Sequence, residues 1–69
     1  MNQTATYLTP DISTGHCRAA IIEELARVNG INSVAVDLEA RVVRVTAQQI
    51  EDAAVIAAIY EAGYEAMRA

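Results

Sequence analysis

Val34-Ala35-Val36-Asp37-Leu38 and Val43-Arg44-Val45-Thr46 lie either side of a short polar break near Glu39-Ala40, and these two runs decide the fold. In the first, Val34, Val36 and Leu38 alternate with Ala35, Asp37 and Glu39; in the second, Val43 and Val45 alternate with Arg44 and Thr46. A period of two predicts strands with one apolar and one more polar face, joined by a tight turn. Upstream the period changes. From about Gly15 to Val28 the apolar residues Ile21, Ile22, Leu25 and Val28 form the stripe of an amphipathic helix. Glu23 stands one turn before Arg27 on its outer face, the favoured order for a helical ion pair, and Asn29-Gly30 supplies the stop.

Downstream, the stretch from about Ile50 to Ala62 predicts a second helix, with Val55, Ile59 and Ala62 along one stripe and Ile56 and Tyr60 beside it. Gly63 ends that helix. At the front, Thr4 to Thr9 is rich in strand formers and is stopped by Pro10; at the back, Tyr64 to Arg68 fits a final edge strand. The order is β-α-β-β-α-β. It predicts an α+β, ferredoxin-like sandwich, an antiparallel four-stranded sheet with two helices on one face.

The chain has 69 residues, 54% of them apolar, and fourteen are alanine, so elements must pack closely around a small core. The expectation is a single domain over residues 1–69, since no linker, low-complexity tract or long charge run interrupts it. There is no lysine, and five arginines face nine acidic residues for a net charge of -4. With three tyrosines and no other aromatic residue, this excludes a nucleic-acid binder, which needs a basic footprint and stacking surfaces. It suits steering toward a positively charged partner. No run is long enough to span a membrane, and Met1 to Thr6 shows neither the basic nor the apolar region of a signal peptide. With one cysteine, no internal disulfide can form, and a cytoplasmic setting is expected.

The chemically loaded segment is Thr14-Gly15-His16-Cys17, where the first loop becomes the first helix. Cys17 falls in the first helical turn, where the positive end of the helix dipole favours the thiolate, the form that binds soft metals. Cysteine is also commonly just a small buried hydrophobe. Ser13 and Thr14 are good N-cap residues, and His16 reads as a solvated loop histidine or an auxiliary ligand. One Cys and one His fall short of a closed metal site. No enzyme is expected: His16 adjoins Cys17 in sequence with no second histidine to act as base, the aspartates lie in different segments, and the glycines form no phosphate-binding run.

Tyr7-Leu8-Thr9-Pro10-Asp11-Ile12-Ser13-Thr14-Gly15-His16-Cys17, Val28-Asn29-Gly30-Ile31 and Ile59-Tyr60-Glu61-Ala62-Gly63-Tyr64 together resemble the heavy-metal-associated domain, from about Thr6 to Ala66. This family includes small cytoplasmic copper chaperones and the N-terminal domains of copper-transporting P-type ATPases. Its loop motif is Met-X-Cys-X-X-Cys. The resemblance puts Ile12 at the methionine position, Thr14 at the first cysteine, Cys17 at the second, and Tyr64 at the loop tyrosine that lies beside the metal in bacterial chaperones. It implies Cu(I) as the ion carried, Cys17 as the remaining ligand and Thr14 as a poor one, because Cu(I) is soft and a hydroxyl is hard and neutral. His16, an external thiol, or Cys17 of a second chain in a homodimer are the candidate replacements. The implied partner is a copper-transporting P-type ATPase or another metal-binding domain.

Two other functions compete. In one, the chain is a metal-free interaction module whose apolar loop around Ile12 and Tyr64 docks a partner. In the other, Cys17 is a single-thiol redox switch. The metal reading requires a sulfur that solvent or a neighbouring chain can reach.

Overall fold

Alternation carries directly into the strands. In the computed structural model, which describes residues 2–12 and 15–69, β1 (Gln3–Leu8) turns Ala5 and Tyr7 inward while Thr4 and Leu8 face solvent. β3 (Val42–Ala47) buries Val43, Val45 and Ala47 on the same side and exposes Arg44. The remaining elements are α1 (Gly15–Leu25), β2 (Ile31–Asp37), α2 (Asp52–Glu61) and β4 (Met67–Arg68). The sheet order is β2-β3-β1-β4 with every neighbouring pair antiparallel, so β3 fills the gap between the two strands that α1 connects. This is the ferredoxin-like fold. Register brings Tyr7 opposite Val43, Val36 opposite Val43 on the other side, and Leu8 opposite Met67.

Both helices lie over the face that carries Ala5, Tyr7, Val43 and Val45. α1 contributes Cys17, Ile21 and Leu25 at four-residue intervals, and α2 contributes Val55, Ala58 and Ile59, all in one apolar cluster. The opposite face is open: Thr4 and Thr46 join hydroxyls across it at 3.2 Å in an exposed position. Among the described residues no buried side-chain polar atom lacks a hydrogen-bond partner.

Helix ends differ from the spacing-based expectation by a turn or less. α1 stops at Leu25 rather than Val28, because the hydrogen bonds tighten there: Arg27 N–H reaches Glu24 and Val28 N–H reaches Leu25, each three residues back. The Arg27 side chain nonetheless meets Glu23 at 3.7 Å and Glu24 at 3.4 Å. α2 starts at Asp52 rather than Ile50, since Glu51 is extended (φ -111, ψ 104); the preceding Ile50 N–H donates to the Gln3 side chain at 3.2 Å. β4 is only Met67–Arg68, so most of the expected final strand is loop.

Candidate metal site

Three backbone devices hold the ends of the loops that meet at the mouth of α1. In the first loop, the Thr9 N–H and hydroxyl both donate to the Arg41 carbonyl, at 2.9 and 3.1 Å, and Ile12 N–H returns to the Thr9 carbonyl at 3.2 Å. That turn drives Ile12 completely into the core. At the end of α2, Gly63 adopts φ +100, its N–H bonds to the Tyr60 carbonyl at 2.9 Å, and the Tyr64 N–H bonds to the Ile59 carbonyl at 3.2 Å. These paired bonds are the Schellman stop, which needs a left-handed residue where glycine stands. It aims the half-buried Tyr64 at α1.

Cys17 is the third residue of α1, in the first turn as expected. The phenol of Tyr64 faces Cys17, and hydrogen bonding to that sulfur, helped by partial burial, raises the Tyr64 pKa above its ordinary value. An acceptor facing the phenol stabilises the protonated form. His16, one residue earlier, is exposed, as is Gly15. Thr14 and Ser13 lie outside the described residues. An open groove of about 540 Å³ borders Tyr64, lined by Asp11, Tyr60, Gly63 and Glu65. Asp11 and Glu65 therefore line the same groove, a pairing with no sequence signal because each is an ordinary loop acid.

One expectation needs correction. Ile12 cannot anchor a partner, because the Thr9–Ile12 turn leaves it no accessible surface. Cys17 is 7% exposed, so its sulfur is largely covered in this structure. The cause is its place on the inward stripe of α1 with Ile21 and Leu25, together with Tyr64, which packs against the core cluster. Among the described residues no three His, Cys, Asp or Glu side chains converge as a closed cation site. Among the described residues, the mouth of α1 brings together one soft sulfur, Cys17, and the phenol of Tyr64.

The fold defines a small α+β module of ferredoxin-like type, and comparison with known proteins gives its family. Residues 6–65 match the model of the heavy-metal-associated domain, and the chain belongs to that family. Its structure is similar to oxidized MerP from Ralstonia metallidurans CH34, with 24% identity, a TM-score of 0.87, and coverage of 99% of this chain and 97% of that one. It is similar also to a copper binding domain from HMA7, a P-type ATPase, at 20% identity and TM-score 0.88, covering 100% and 95% of the two chains. A Bacillus anthracis str. Ames protein provisionally described as copper-ion-binding shares 28% identity, with a TM-score of 0.86 and 97% of each chain covered. No curated protein matches the chain. Among the described residues no helix is long and apolar enough to cross a membrane.

Proposed function

We propose that this chain, acting as one domain over residues 1–69, binds copper(I) at the mouth of α1 and exchanges it with a second metal-binding protein. The observation that carries this reading is the family match over residues 6–65 with the sole cysteine, Cys17, in the first turn of α1 beside Tyr64. Cys17 is the ligand; Thr14 stands where a second thiolate would complete the pair and is a poor donor to a soft ion. Monomeric affinity is accordingly weak. The missing donor comes from outside, through an external thiol or the thiolate of a partner, and His16 is close in sequence but exposed.

Burial of Cys17 adds a gating step. The sulfur has to be uncovered before an incoming thiolate can deliver or remove the ion, and Tyr64 is the side chain that leaves. The acidic pair Asp11 and Glu65 at the neighbouring groove attracts a cationic approach. A P-type ATPase domain of the kind the chain resembles in fold is the class of partner that suits this exchange. A cytoplasmic setting, where thiols stay reduced, fits a transfer site that works through one thiolate.

Anaerobic titration with Cu(I) against a competing chelator tests the reading. The parent chain should bind weakly and Cys17→Ser not at all, while Thr14→Cys should bind one ion per chain at least about a thousandfold more tightly than the parent. Equal binding by parent and Cys17→Ser, or no gain from Thr14→Cys, would remove copper exchange as the function.

A further inference from the structure

We infer that the face built on Leu8, Pro10 and Met67 is a self-complementary docking surface for a second copy of this chain. Leu8 is 42% exposed and Met67 59%, although both are large and apolar, and they sit directly opposite each other on β1 and β4. Two shallow clefts, of about 280 and 290 Å³, meet at this pair and share Leu8, Pro10 and Met67. Single exposed apolar residues are ordinary, but a contiguous apolar patch on a small domain marks a contact site.

What selects the occupant is the placement of charge. The first cleft continues toward α2 to Glu65 and Tyr60, itself 69% exposed; the second continues toward the β2–β3 turn to Arg41. Glu65 and Arg41 therefore stand on opposite flanks of one uncharged centre. Arg41 is steadied there, its guanidinium donating to the Pro10 carbonyl at 3.3 Å. Among the described residues neither Arg41 nor Glu65 belongs to an ion pair. A two-fold axis through the Leu8–Met67 centre carries the Arg41 flank onto the partner's Glu65 and the reverse, while the apolar centres meet on the axis. That is the requirement for an isologous dimer, in which one patch complements itself. The Glu65 flank is acidic, with Asp11 beyond it, and the Arg41 flank is basic, so the two flanks carry opposite signs. Cys17 lines neither cleft, so the contact needs no metal ligand, although Tyr60 and Glu65 also border the groove beside Tyr64.

Sedimentation equilibrium from about 10 μM to about 1 mM reads the dissociation constant directly. The parent chain should show a monomer–dimer equilibrium in that range, and Met67→Asp should stay monomeric throughout. Arg41→Glu and Glu65→Arg, both at exposed positions, should each weaken dimerisation about tenfold, since each places like charges together twice across the axis. Combined, the two reversals should restore the parent constant to within about threefold, a recovery that loss of folding cannot mimic. Cys17→Ser should dimerise as the parent does. A parent chain that is monomeric at about 1 mM, a double reversal as weak as either single change, or a dimer lost in Cys17→Ser would each overturn the proposal.

Discussion

Tyr7 donates its phenolic hydrogen to Asp52 Oδ1 at 2.7 Å, tying the buried side of β1 to the first residue of α2. Arg68 on β4 pairs with the same carboxylate oxygen and lies over the Tyr7 ring, 5.8 Å from its centre. Three elements thus converge on one acid. β4, which is two residues long, gains from this cluster an anchor that its few ladder bonds do not supply.

Removing the Tyr7 hydroxyl should cost about 1 kcal/mol, less than is usual for a hydrogen bond to a charged group, because the exposed Asp52 can recover water. Urea unfolding of Tyr7→Phe, with an unchanged slope and a lower midpoint, checks this.

The same cluster sets a pH dependence at both ends. The Tyr7 hydrogen bond, with Arg68 adding to it, holds the Asp52 pKa below its ordinary 3.8. A lowered folded pKa gives stability that is present above 3.8 and lost as pH falls through the lower folded value. The stability gap between parent and Asp52→Asn should therefore close in acid.

Burial, with the Asp52 carboxylate beside it, pushes the Tyr7 phenol from 10.0 up to about 12. A raised folded pKa gives stability that is complete below 10 and lost as pH rises toward about 12. Tyr7→Phe should lack this alkaline loss, measured as urea midpoints across the same interval.

Ile59 is fully buried on α2 between the sheet and α1, so Ile59→Ala should cost about 3 kcal/mol through lost burial and the cavity left behind. Ile22→Ala, on the outer face of α1, should change stability by less than about 1 kcal/mol. Thermal unfolding of the two variants distinguishes them.

At Gly63 a methyl group would meet nothing within 4 Å, yet φ +100 strains any other residue. Gly63→Ala should lose about 1 kcal/mol from backbone strain alone. It should also disturb Tyr64, so the rate of Cys17 alkylation should change with it.

Cys17 is 7% exposed, and its alkylation should run at least about tenfold slower in the native chain than in urea. Tyr64→Ala, which takes away the side chain bonded to the sulfur, should recover much of that difference.

Local pattern in the sequence was enough for the element order, because a period of two or of 3.6 belongs to a few neighbouring residues. It also located Cys17 in the first turn of α1 and glycine at the end of α2. It misjudged the helix ends, which tertiary context sets: Glu51 stays extended ahead of α2, where Gln3 from β1 accepts the Ile50 N–H. Tyr64 as the neighbour of Cys17 came from family resemblance, and only the Schellman stop at Gly63 shows how the chain delivers it there.

Everything that depends on distant residues meeting was left to the tertiary structure. Cys17 could be assigned to a turn but not to a degree of burial, which follows from how α1 docks on the sheet and from what Tyr64 covers. Tyr7 and Asp52, 45 residues apart, carry no shared local signal. Nor do Arg41 and Glu65, which come to flank one apolar patch because β1 lies between β3 and β4. Periodicity is written into adjacent residues; contact between side chains is set by strand register and helix docking, which exist only once the whole sheet has formed.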